Sequence, residues 1–428
     1  MNKVIRLRDY SPVPSEYVPL CKALQESIRK RESTLVDLWG QPQKDITLFA
    51  SYSGGYWVQE YTGAFSYRYR DTQYQILIGS RFDREDASYF LCYAFQRAFG
   101  DQGRFFRELP VQSDPEKTWD LLLVLRFFQE LRTALKSGVY REYVRYRCND
   151  SRVNGPIDVP RHLRENLLFR GSISYDRREN TADNDINRLL LTALSWVQKR
   201  YPTLYRSHVQ GELKRQLVQL PALVRNGEGL DARGALARTD RVITRHIFRD
   251  YEALRKTARL LLRRMGVNIM EDARTPVYGV AVNMAKLWER FLENSALGSL
   301  GYRAQSKLPI LDGGLTMKPD FLLQQEGRTV VLDAKYKAKW SKRFVREDVY
   351  QVLAYQLAFS APVGGCIFPT TDALEPDCRP VLAASGGELW FWRLPLRIPA
   401  YGAGTSYEEF QRELDREVEG FRHMVQGM

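Results

Sequence analysis

The sequence predicts an α+β multidomain protein with an N-terminal β-rich and helical region, a helical middle and a C-terminal α/β domain. Three observations lead there. Alternating, tyrosine-rich segments with turn signals run from Ile46 to Arg81, apolar residues recur at helical spacing through 157–270, and two short apolar strands flank a turn near residue 326 between two amphipathic helices. At 428 residues the chain is long enough for two or three domains with substantial cores. Boundaries are expected after residues 150 and 274, giving domains 1–150, 151–274 and 275–428.

Residues 1–40 read as an extended start followed by a helix from about Tyr17. The 46–81 segment turns at Ser53-Gly54-Gly55 and at Arg70-Asp71, so its tyrosines are expected to pack across strands. Residues 84–148 read as helical with a break near Leu109-Pro110, and a long helix is expected from about Asp240 to Met265. The basic clusters Arg141–Arg147 and Arg255–Arg264 alternate with apolar residues and read as amphipathic helices. A last amphipathic helix covers Ser406 to Met424.

Composition narrows the class of partner. A formal net charge of +13 favours a polyanion. The five cysteines (Cys21, Cys92, Cys148, Cys366, Cys378) have no paired spacing, which suggests reduced thiols and no zinc site. None of the four histidines stands at ligand spacing, and no Walker A loop occurs. Charges and prolines occupy Met1 to Leu20, where a signal peptide needs an apolar core. The longest apolar run, Leu121 to Phe128, is broken by Arg126 and too short to span a bilayer. A soluble, cytoplasmic protein with no membrane partner is expected.

The chemistry concentrates near residue 330, where Lys318-Pro319-Asp320 leads into an apolar hairpin ending in Val330-Val331-Leu332-Asp333-Ala334-Lys335. Strand residues i and i+2 share a face, so Asp333 and Lys335 point the same way while Val330, Leu332 and Ala334 point to a packed face. Gln324 to Gly327 reads as the turn. Centred between Gln325 and Glu326, that turn sets Asp320 opposite Val331, with Asp333 its diagonal neighbour at about 7–8 Å. Two carboxylates so placed can share one hard cation, and Asp320, Asp333 and the main-chain carbonyl of Ala334 would suffice for Mg²⁺ with its waters. Lys335 would orient or help deprotonate an attacking water while the metal stabilises charge growing on a phosphate. On an exposed strand, Asp-x-Lys is ordinarily a weak surface ion pair. Here Phe-Leu-Leu and Val-Val-Leu mark both strands as buried on one side, and unpaired acids at a buried edge are costly without a cation or partner.

Neighbouring helices add to the set. Leu287, Trp288, Phe291 and Leu292 form an apolar stripe that sets Glu289 beside it, and Gln351 and Tyr355 lie four apart on one face of the helix beginning near Asp348. From Lys335 to Arg346 the basic residues Lys337, Lys339, Lys342, Arg343 and Arg346 alternate with Tyr336, Trp340 and Phe344 and with no acid, a stretch suited to track a DNA backbone.

A helix acid, then Pro-Asp, Asp-x-Lys and Gln-x-x-x-Tyr resembles the PD-(D/E)xK (restriction-endonuclease-like) nuclease superfamily in its RecB-like form. More narrowly, Leu287–Leu292, Leu332–Lys337, Val349–Tyr355, Gly155–Asn166 and Asn184–Leu190 resemble the McrC family, the nuclease subunit of McrBC modification-dependent restriction systems. The resemblance covers roughly residues 120–370. It implies a metal-dependent endodeoxyribonuclease in a restriction or antiviral defence system, with Mg²⁺ as cofactor and Mn²⁺ as a substitute. Asp320 and Asp333 would be metal ligands and Lys335 the catalytic lysine, with Glu289 a further acid and further metal ligand. Gln351 and Tyr355 would support the site or contact DNA. It also implies a partner, a McrB-like AAA+ GTPase or ATPase hexamer stimulated by the N-terminal part of this subunit, although residues 1–110 match the family pattern poorly. Two other readings stay open: an activator of the motor whose nuclease site matters little, and a stand-alone nuclease with another partner.

Overall fold

The computed structural model describes residues 2–30, 33–37, 39, 46–52, 54–98, 115–224, 231–264, 277–311, 315–325, 327–381 and 389–428. The break expected near Leu109-Pro110 lies outside these residues, as do Ser53, Met265, Glu326 and the boundary expected after residue 274. The chain divides into two compact units, one of Met1–Trp119 with Arg274–Met428 and the other of Asp120–Ala273. This differs from the three successive domains expected, because the C-terminal third begins by returning to the N-terminal sheet.

That sheet has five strands, in the order Asn2–Arg8, Thr72–Gly79, Tyr61–Tyr69, Val277–Asn283 and Ser33–Asp37. Val277–Asn283 runs antiparallel to Tyr61–Tyr69, with Ala64 facing Val280, and parallel to Ser33–Asp37. Ile5, Leu24, Phe49, Phe65, Ile76 and Val277 belong to one core, closed by the Val18–Arg29 helix through Leu20, Leu24 and Ile28. Burying such side chains contributes about 1.5–3 kcal/mol each. A glycine is required where Phe65 packs against its neighbour strand, since a Cβ on Gly279 would stand 2.6 Å from the Ala64 carbonyl.

The C-terminal sheet of the same unit has six strands, ordered Arg303–Ala304, Phe321–Gln325, Arg328–Ala334, Val363–Thr370, Trp390–Arg397 and Asp377–Pro380. The hairpin Phe321–Gln325/Arg328–Ala334 is antiparallel, and the next two pairings are parallel. The parallel step from Arg328–Ala334 to Val363–Thr370 is crossed by the Arg346–Ala358 helix, as a parallel pair requires. The run Val330-Val331-Leu332 is buried on both faces, the pattern of a central strand, where one packed face was expected. The last helix, Tyr407–Gln426, starts at Ser406, whose hydroxyl and Glu409 form a capping box.

The Asp120–Ala273 unit pairs Glu142–Asp150 with Ile173–Thr181 and otherwise consists mainly of helices. Arg141–Arg147, expected to be helical, lies mostly on the first of these strands. Exposure alternates residue by residue there, and Tyr143, Val144 and Tyr146 favour a pleated surface. The helix expected from Asp240 begins at Asp250 instead, after a 3₁₀ turn at His246–Phe248. The Thr239 carbonyl accepts from Arg255 Nη1 at 2.6 Å, which occupies the group that would start an earlier helix. The Asn184-Asp185-Ile186-Asn187 motif is structural: Asn184 caps the Asp185–Arg200 helix, and Asn187 Nδ2 donates to the carbonyls of Tyr140 and Ala182 at 2.9 and 2.7 Å.

Candidate active site

The hairpin sets the first two acids. Its register pairs Phe321 with Leu332 and Gln325 with Arg328, two residues further along than expected, so the ladder leads to Asp333 as the residue opposite Asp320. A two-residue slip keeps every side chain on its face, and the two aspartates are brought closer in register. Gly327 takes φ +78°, the conformation a tight turn needs. Asp320 Oδ2 accepts from the Ala334 N–H at 2.8 Å, which ties its carboxylate to the end of the partner strand. Asp333 is 2% exposed.

Around them stand the remaining charges. Burial raises the Asp320 carboxyl to about 8, with Asp333 and Glu289 pushing the same way. Burial and the Asp333 charge likewise raise Glu289, while Lys286 and Lys318 oppose the shift. Three carboxyl groups therefore feel one another across this end of the sheet. Gln305 touches two of these residues: its side chain bonds the Glu289 carboxyl, and its N–H donates to the main-chain carbonyl of Asp320 at 2.9 Å. Gln305 holds φ +53°, a conformation unusual for a residue with a side chain.

Lys335 ion-pairs with Asp333 Oδ2, an oxygen that lacks a well-directed hydrogen bond, and donates to Gln351 Oε1 at 2.8 Å. Gln351 in turn donates to the Tyr355 hydroxyl at 2.7 Å. Tyr355 packs with Leu322, Val331 and Ala361, so the Arg346–Ala358 helix is anchored on the face that carries Asp333. Burial pulls the Lys335 pKa down, but Asp333 and Asp348 more than offset this and leave it raised. Lys335 therefore stands as an ammonium held between Asp333 and Asp348.

Asp348 was missed in the sequence. It is buried, accepts from the Trp340 indole N–H at 2.9 Å and from Lys337 Nζ at 2.7 Å, and lies 3.6 Å from Lys335 Nζ. The signal was present: Asp348 and Gln351 stand three apart on one helix, which places both toward the same neighbour. Of the basic stretch, Lys337 turns back onto Asp348, whereas Lys339, Lys342, Arg343 and Arg346 are exposed on and beyond a 3₁₀ turn at Ala338–Ser341.

Whether this site suits Mg²⁺ turns on its donors. Among the described residues no three acidic, histidine or cysteine side chains converge into a ready ligand set. The donor set on the adjoining strands is two carboxylates and the Ala334 carbonyl, all hard oxygens, with one Asp333 oxygen poorly hydrogen-bonded. That set fits a cation that keeps several waters.

The molecule is thus a mixed α/β protein of two compact units, with clustered carboxylates at the end of one sheet. The model of the McrBC 5-methylcytosine restriction system component matches residues 58–369, and the chain belongs to this family. Among solved structures, a chain from the half-complex of the tetradecameric assembly of Thermococcus gammatolerans McrB AAA+ hexamers with bound McrC is 16% identical, with 97% of this chain and 100% of that one covered at a TM-score of 0.46. A chain of the Thermococcus gammatolerans McrBC complex is also 16% identical, with 71% and 90% covered at a TM-score of 0.32. No curated protein matches the chain.

Proposed function

We propose that this chain is the Mg²⁺-dependent DNA endonuclease subunit of its restriction system, that its C-terminal sheet and flanking helices form a PD-(D/E)xK nuclease domain, and that it works with, and stimulates, a McrB-like AAA+ NTPase motor. The observation that carries the reading is the convergence of Asp320, Asp333 and Lys335 at the end of one hairpin. Family membership supports the restriction role.

Asp320, Asp333 and the Ala334 carbonyl would hold the cation, with Glu289 close enough in charge to bias the protonation of Asp320. When bound there, Mg²⁺ would supply Lewis acidity toward a water and toward the charge growing on the phosphate. Lys335, held by Gln351 and Asp333, orients the attacking water. Tyr355 fixes Gln351. Exposed Lys339, Lys342, Arg343 and Arg346 would meet the DNA backbone, since their charge draws phosphates without reading sequence.

The test compares wild type with Asp333→Asn in plasmid cleavage and in motor NTPase stimulation. Cleavage is expected to vanish while stimulation persists. Loss of stimulation with cleavage intact would overturn the assignment. Cleavage by the chain alone with Mg²⁺ would show that no motor is needed.

A further inference from the structure

In this arrangement the candidate lysine is committed to an acid of the site. Its ammonium neutralises Asp333, one of the two carboxylates that would hold the cation. A route for its release lies on the other side, at Asp348. That carboxylate has a 4% exposed side chain, and its Oδ2 is pinned by the indole of Trp340, which sits in a core with Val352, Cys366, Phe368 and Phe391. Its Oδ1 is shared between two lysines, Lys337 at 2.7 Å and Lys335 at 3.6 Å. Lys337 is 43% exposed and opens the basic stretch, whereas Lys335 is 13% exposed.

We infer that Asp348 is a positioning residue that couples capture of a DNA phosphate by Lys337 to release of Asp333 by Lys335. A backbone phosphate draws Lys337 outward. The buried Asp348 carboxylate is then left without its nearest cation, a costly state. Lys335, already within reach, closes on Asp348 and gives up Asp333. The cation's second carboxylate thus becomes available only when nucleic acid is present, and divalent metal and DNA bind cooperatively. The inference rests on the nuclease reading and adds to it the order in which the site is assembled.

The experiment measures Mn²⁺ binding to the full chain by electron paramagnetic resonance, with and without a phosphorothioate duplex. In wild type the duplex is expected to tighten Mn²⁺ binding by about 5-fold or more, the lower end of ordinary coupling between sites. Lys337→Ala is expected to bind Mn²⁺ as tightly without DNA as wild type does with it. Asp348→Asn keeps an acceptor for the Trp340 indole and is expected to lose the coupling. A purely structural role for Asp348 would lower stability and leave the Lys337→Ala affinity unchanged, which overturns the inference. Mn²⁺ binding and cleavage in wild type with no effect of the duplex also overturn it, and leave the nuclease reading standing. Absence of both Mn²⁺ binding and cleavage removes the two together.

Discussion

At the scale of single residues the site is an arrangement of opposing charges in which Lys335 is restrained on three sides. Asp333 and Asp348 keep it charged and Gln351 sets its direction. Lys335→Met should therefore lower cleavage by about 10²- to 10⁴-fold, the span expected for a positioned group acting on the attacking water. Mn²⁺ binding to that variant should persist, measured by titration calorimetry. Gln351→Ala should have a smaller effect, because it removes one of the three groups about Lys335. Single-turnover cleavage at saturating metal distinguishes the two.

At the scale of elements, the strands are most exacting where backbones approach closely. A Cβ on Gly365 would lie 2.6 Å from the Trp392 carbonyl of the adjacent strand. Gly365→Ala should therefore cost about 1–3 kcal/mol, as overpacking does, read as a lower midpoint in urea denaturation. Much of this level was legible in the chain. The helix carrying Trp288 and Phe291, the hairpin, and the helix carrying Gln351 and Tyr355 all follow from periods of 3.6 and 2. The exact register was not, because turn length alone decides it and the apolar pattern is the same after a slip of two. Arg141–Arg147 misled for a related reason: a short segment alternating charged and aromatic residues suits a strand, and its pairing with Ile173–Thr181 is non-local. Gln305 belongs to the site through tertiary contacts alone, which spacing does not record.

At the scale of the whole molecule, the N-terminal and C-terminal thirds form one unit, and the contacts between them are specific. Tyr336, next to Lys335, is buried with its hydroxyl 3.2 Å from Ser80 Oγ, and the Arg81 guanidinium lies 4.2 Å from its ring centre while pairing with Asp9 at 3.3 Å. Further along, Asp83 accepts from the N–H groups of Phe90 and Leu91 and from the Tyr401 hydroxyl. Burial outweighs those bonds and raises its carboxyl to about 7. A carboxyl raised on folding binds protons that the unfolded chain releases, so its contribution falls as pH rises from the ordinary 3.8 to about 7. Asp83→Asn should flatten the decline of melting temperature across that window, measured against wild type by calorimetry. A fragment of residues 275–428 alone should fail to fold, because it would expose the Val277–Asn283 strand and the Tyr336 ring. Circular dichroism of the isolated fragment checks this.

The ring of Tyr336 settles how this C-terminal sheet can be moved or recombined. A cassette cut near residue 275 leaves behind the serine, arginine and aspartate that seat the residue beside its lysine. Chimaeras between family members would inherit a working centre only if the opening strand and the 80–81 corner came from the same parent as the hairpin.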